Sequence, residues 1–118
     1  MTEIEDIPLG VADPEVSARF YAALLGRRPL RAGPDYACFA LDRSRTLSLW
    51  RRERAAPGDP TREVGFRTTS AAAVDALHID WWDRGAHIVL PPMDMAEGRG
   101  FVARDPDGNR LKVFAAAG

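Results

Sequence analysis

The closing stretch, Phe101-Val-Ala-Arg-Asp105-Pro-Asp-Gly-Asn109-Arg-Leu-Lys112-Val-Phe114, sets the only lysine of the chain in the middle of a strand. An ammonium there can meet an anion or balance carboxylates, and which it does separates a binding protein from an enzyme. Strand parity puts Leu111 and Val113 on one face, Lys112 and Phe114 on the other. Elsewhere the candidates for chemistry are few. Cys38 lies mid-strand and reads as a small core residue rather than a nucleophile. His78, inside a helix, and His87, at the start of a strand, read as packing or surface histidines. Gly98-Arg99-Gly100 precedes a strand, so no helix N-terminus is there to receive a phosphate. No Ser-His-Asp arrangement is visible.

The composition narrows the class. A chain of 118 residues with an apolar fraction of 46% is one domain with room for a real core. The net charge of −1 gives no field to recruit nucleic acid or an anionic membrane. A single cysteine excludes an internal disulfide and a cysteine-only metal site. No apolar run approaches the ~20 residues of a membrane span, and the acidic start (Glu3, Glu5, Asp6) lacks the layout of a signal peptide. A cytoplasmic protein is expected.

The elements that must position the candidates follow from periodicity. Ile4 to Val11 alternates as a strand, with Ile7, Leu9 and Val11 on one face and Pro8 marking an edge. Asp13-Pro14-Glu15 starts a helix whose expected stripe is Val16, Phe20, Ala23 and Leu24, ending at Gly26. Strands follow at about 28–32, 36–41 and 46–52. Residues 53–61 read as a polar linker. The pattern then restarts: a strand from Arg62 to Thr68, a helix capped by Ser70 with Val74, Leu77, His78 and Trp81 inward, and strands near 87–90, 98–104 and 110–115. Pro91 to Met95 is expected as a loop. The closing hairpin turns at Asp105-Pro106-Asp107-Gly108-Asn109, where proline presets φ and Gly108 accepts a positive one.

The order is therefore βαβββ twice, a module at 1–52 and another at 62–118. Phe39-Ala40-Leu41-Asp42 matches Val102-Ala103-Arg104-Asp105, and Leu47-Ser48-Leu49-Trp50 matches Leu111-Lys112-Val113-Phe114. The repeat is too long for a solenoid, so two fused modules are expected. The fold class is α+β: two βαβββ modules forming a curled mixed sheet around a cavity. Trp50 shares parity with Ser48 and should face that cavity, with Phe114 as its symmetric partner. Tyr36 and Phe39 lie on the neighbouring strand, whose parity the sequence leaves open. Met95, with Met93, stands in the expected loop as an adaptable rim.

Two motifs, Val11-Ala-Asp-Pro-x5-Phe20-Tyr-x3-Leu25-Gly26 and Asp105-Pro-Asp-Gly-Asn-Arg-Leu-x-Val-Phe114, resemble the vicinal oxygen chelate superfamily, which includes glyoxalase I, extradiol dioxygenases and bleomycin-resistance proteins. Cys38 to Asp42 with Leu47 to Trp50, Ala73 to His78 with Trp81, and Asp94-Met95 with Gly98-Arg99 resemble its phenazine-antibiotic-resistance, drug-binding branch. The resemblance implies a homodimer. It also implies where a divalent metal would be held. The first-strand ligand falls on Asp6 and its second-module counterpart on Glu63, while the last-strand glutamate falls on Lys112 and its counterpart on Ser48.

Two acidic oxygens suit a hard ion, but an ammonium in the third position repels it. Lys112 is expected to replace the metal and pair with Asp6 and Glu63, with no metal and no cofactor. The ligand-binding residues expected are then Trp50, Phe114, Tyr36, Phe39, Ser48, Arg67, Lys112 and Met95. Arg67 and Lys112 would meet a ligand carboxylate. The function expected is that of a metal-independent protein sequestering a planar aromatic compound of phenazine type, not an enzyme. The alternatives are a metal-dependent lyase, isomerase or dioxygenase of the same superfamily, and an accessory domain with no small ligand.

Overall fold

Residues 4–52 and 62–116 are described by the computed structural model; the linker expected at 53–61 lies outside them. The chain divides into two compact units, Met1–Pro60 and Thr61–Gly118. The first contains β1 (Glu5–Val11), α1 (Pro14–Leu25), β2 (Arg31–Ala32), β3 (Tyr36–Ala40) and β4 (Arg45–Arg51). The second contains β5 (Glu63–Arg67), α2 (Ala71–Asp83), β6 (His87–Met95), β7 (Gly98–Arg104) and β8 (Arg110–Ala116). Each unit is a four-stranded mixed sheet, in the order β1-β4-β3-β2 and β5-β8-β7-β6 respectively. In both, the first strand runs parallel to the last and the other pairs are antiparallel. Among the described residues no helix is long and apolar enough to cross a membrane.

The core of the first unit lies between α1 and one face of its sheet. Asp13 caps the helix by accepting from the Glu15 N–H at 3.0 Å, and Gly26, at φ 65°, closes it with an N–H to Ala22. The buried stripe is Pro14, Ser17, Ala18, Tyr21 and Leu24, not the expected one through Val16 and Phe20. Val16 is exposed and Phe20 only half-buried. Counting apolar residues rotated the helix by about one residue, because the true face uses two small residues for close approach and the amphipathic Tyr21 for bulk. The Tyr21 ring is fully buried and meets Phe39 with centroids 6.3 Å apart.

In the second unit Ser70 caps α2 by accepting from Ala73 N–H at 3.1 Å. Trp81 is the main knob of that helix: its ring meets Phe66 and Phe101 edge-on, each with centroids 5.5 Å apart. His78 packs against Phe101 as well. The segment Pro91 to Met95, expected as a loop, continues β6. Its pairing with β7 shifts register between Ile88 and Leu90 and again before Met93. β6 is an edge strand, where a proline's missing N–H removes no interior ladder bond and bulges are tolerated.

Both β3–β4 and β7–β8 turn on an aspartate. Asp42 Oδ1 accepts from the Ser44 N–H at 2.9 Å, as Asp105 Oδ1 accepts from the Asp107 N–H at 2.9 Å. The Ser44 N–H, aided by the Arg45 guanidinium, pulls the Asp42 carboxyl down to about 2. Asp105 does more. It also accepts from Asn109 N at 2.8 Å and Asn109 Nδ2 at 3.0 Å, both buried. Asn109 Oδ1 in turn accepts from Arg62 N at 3.1 Å, tying the turn to the start of β5. Gly108, at φ 87°, holds the left-handed step. Replacing Asp105 strands buried donors, so Asp105→Ala should cost about 2–4 kcal/mol in urea denaturation. A loss below about 0.5 kcal/mol would show that the turn does not organise this sheet.

Candidate functional site

Pairing register fixes what each sheet shows on the face away from its helix. In the first unit Phe39 and Leu47 face α1, so their neighbours face away. Asp6 lies opposite Thr46, Pro8 opposite Ser48 and Gly10 opposite Trp50. Cys38 lies opposite Ser48, and Tyr36 opposite Trp50. The helix-free face of this sheet therefore carries Asp6, Thr46, Ser48, Trp50, Tyr36 and Cys38. In the second unit Gly65 lies opposite Lys112 and Arg67 opposite Phe114. The two ladders make Ser48 equivalent to Lys112, Trp50 to Phe114 and Asp6 to Glu63, each two residues before the strand position facing Ser48 or Lys112.

A hydrogen-bond chain orders the first face. Trp50 Nε1 donates to Ser48 Oγ at 3.0 Å, and Ser48 Oγ donates to Asp6 Oδ2 at 2.7 Å. Thr46 Oγ1 donates to the other oxygen, Asp6 Oδ1, at 2.8 Å. The indole is thus locked at its nitrogen. Its ring meets that of Tyr36 with centroids 4.4 Å apart and planes inclined by 55°. Trp50 is nevertheless 52% exposed, while Ser48 beneath it is 1% exposed. A large ring presented to solvent and yet fixed in orientation is a preorganised stacking surface. The Tyr36 phenol is pushed up, first by its hydrogen bond with the Cys38 thiol and then by burial, with Arg31 opposing. The stem of Arg52 lies over Gly10, so close that a Cβ there would stand 2.5 Å from Arg52 Cδ. The strip thus has an aromatic and cationic end at residues 50–52 and a carboxylate end at Asp6.

The second face is organised by charge on an aromatic. Arg67 and Lys112 approach the Phe114 ring, 5.9 and 5.7 Å from its centroid. Phe114 lies over Gly65, within 3.4 Å of where a Cβ would stand, and Met95 Cε would lie 3.5 Å from a Cβ on Gly100. Lys112 donates to Glu97 Oε1 at 3.0 Å. The expected pairing of Lys112 with Glu63 is therefore corrected: its carboxylate partner is Glu97, on the β6–β7 hairpin. An ammonium five bonds out from Cα on a flexible stem reaches the turn beside it instead of a carboxylate on the neighbouring strand. The Lys112 ammonium beside it holds the Glu97 carboxyl below its usual range.

Strand parity brings Trp50, Tyr36 and Ser48 together on one face, and Phe114, Arg67 and Lys112 on another. Phe39 is the exception. It is fully buried against Tyr21 beneath α1 and belongs to the core, because it alternates with Tyr36 at odd spacing. Two participants escaped notice in the sequence. Thr46 was legible from its parity with Ser48; Glu97, in a turn, carried no periodic signal.

Neither face offers a divalent ion a good set of donors. On the first, Asp6 already receives two hydroxyl donors; on the second, the position equivalent to Ser48 holds an ammonium. Among the described residues no three His, Cys, Asp or Glu side chains group closely enough to hold a metal.

Comparison with known proteins places the chain. Residues 3–113 match the Glyoxalase/Bleomycin resistance protein/Dioxygenase superfamily. The phenazine antibiotic resistance protein EhpR of Enterobacter agglomerans is 26% identical over 108 residues, spanning 87% of this chain and 84% of that protein. The solution structure of protein ATC0852 from Agrobacterium tumefaciens superposes with a TM-score of 0.84 at 35% identity, covering all of both chains. A glyoxalase/bleomycin resistance protein/dioxygenase from Nocardioides superposes at 0.83 with 24% identity, over 98% of this chain and 84% of its own, and speaks to the fold.

The Lys112–Glu97 contact makes a local prediction. The depressed Glu97 carboxyl should return upward in Lys112→Met, read by carbon-detected NMR titration. Since a depressed carboxyl contributes above its unfolded value and loses that contribution as pH falls through its folded one, the pairing matters at neutral pH and vanishes in acid. An unchanged Glu97 titration would show that the contact does not form in solution.

Proposed function

Within the Glyoxalase/Bleomycin resistance protein/Dioxygenase superfamily, to which this chain belongs, we propose that it binds and sequesters a planar aromatic small molecule without using a metal ion. The observation that carries this reading is Trp50: half-exposed, yet held at its nitrogen by Ser48 and along its ring by Tyr36. A ring already fixed loses little freedom when a flat ligand stacks on it, so little of the ~0.5–1.5 kcal/mol of ring–ring attraction is lost to ordering. The likeness to a phenazine antibiotic resistance protein favours a ligand of phenazine type.

The metal-dependent lyase, isomerase or dioxygenase reading requires acidic or imidazole donors where Ser48 and Lys112 stand. Neither a hydroxyl already donating to Asp6 nor an ammonium supplies one.

Titration with phenazines should quench tryptophan fluorescence, and calorimetry should show Trp50→Ala losing about 1–3 kcal/mol of affinity. Unchanged affinity in that variant would remove Trp50 from the site. One tightly bound transition metal per chain on elemental analysis would favour the enzymatic alternative.

A further inference from the structure

The hydrogen-bond chain on the first unit's helix-free face has a direction, and the direction has a chemical consequence. Asp6 is a carboxylate and donates nothing, so each proton in the chain must point toward it. The Trp50 N–H is spent on Ser48, the Ser48 O–H on Asp6 Oδ2 and the Thr46 O–H on Asp6 Oδ1. What remains directed outward beside Trp50 is acceptors: one further lone pair on each Asp6 oxygen and the spare lone pairs of the half-buried Thr46 hydroxyl, Ser48 being buried beneath the indole. Asp6 forms no ion pair among the described residues, and it is exposed. The basic groups of this face, Arg31 across from Cys38 and Arg52 over Gly10, stand away from the Asp6 end.

We infer that the aromatic ligand of this site carries hydrogen-bond donors on the edge directed at Asp6, as an aromatic amine, a phenol or a protonated ring nitrogen does. This rests on the stacking function assigned to Trp50 and names the class of ligand that surface selects. Only two hydrogen bonds, of 3.0 and 2.7 Å, separate the indole nitrogen from the carboxylate. A tricyclic ring stacked on Trp50 therefore reaches Asp6 with its edge. A donor there gains a charge-assisted bond, whereas an edge bearing only acceptors faces lone pairs and loses its own hydration without return. Asp6 thus acts as a specificity residue.

Two dyes with the same ring system isolate the effect: 2,3-diaminophenazine, which carries four N–H donors, and unsubstituted phenazine, which carries acceptors alone. By calorimetry the diamine should bind wild-type protein at least tenfold more tightly than phenazine. Asp6→Asn should cut diamine affinity at least tenfold and leave phenazine no weaker than before, since the amide supplies donors. Equal binding of the two dyes to wild type, with both lost in Trp50→Ala, would overturn the donor requirement and leave the stacking function standing. Diamine binding unmoved in a folded Asp6→Asn protein would likewise overturn it. Binding of neither dye would remove both readings.

Discussion

The parallel pairing of β1 with β4 is the constraint from which the candidate site follows. It sets Asp6 beside Thr46 and, one step along, within reach of Ser48, although forty residues of chain separate them. Because a strand alternates strictly, the same pairing that sends Leu9 and Leu49 into the core under α1 sends Asp6, Ser48 and Trp50 to the opposite face. A slip of one residue would bury the carboxylate under the helix and expose the leucines. The apolar side of the sheet thus stabilises the polar side's geometry, and the hydroxyls then fix the carboxylate and the indole.

The second unit repeats the backbone plan with different chemistry. Its ladder places Lys112 where the first has Ser48, and Phe114 where the first has Trp50. There the order comes from cations resting on a ring and from Glu97 beside Lys112, not from a hydroxyl relay. Both devices hold an aromatic side chain in place on a helix-free face. Only the first leaves its ring edge tied, through a hydroxyl, to a carboxylate.

Much of this was legible in the amino-acid order. The Asp-Pro-Asp-Gly-Asn turn announced its hairpin because each residue has a reason to be there, and the alternation on either side assigned Lys112 and Phe114 to one face. The capping of α1 by Asp13 and of α2 by Ser70 was equally readable. The face of α1 was not: a count of apolar residues favours Val16 and Phe20, whereas close helix–sheet approach selects Ser17, Ala18 and Tyr21. Nor was β6, since Pro91 and Pro92 signal a break unless the strand is known to lie at an edge. For the site, parity could group Ser48 with Trp50. It could not orient Tyr36 against Phe39 until β3 had a register, nor foresee that Lys112 would meet a turn residue rather than a neighbouring strand.

The central claim is that the helix-free face around Trp50 is where ligand binds. The chain has three tryptophans, and their indole N–H resonances are separate reporters within one proton–nitrogen correlation spectrum. Titration with 2,3-diaminophenazine should move the Trp50 indole resonance together with the amides of Tyr36 and Ser48. The Trp82 indole, exposed on α2, should stay in place. Shifts centred on Trp82 and β6, with Trp50 unmoved, would contradict the account.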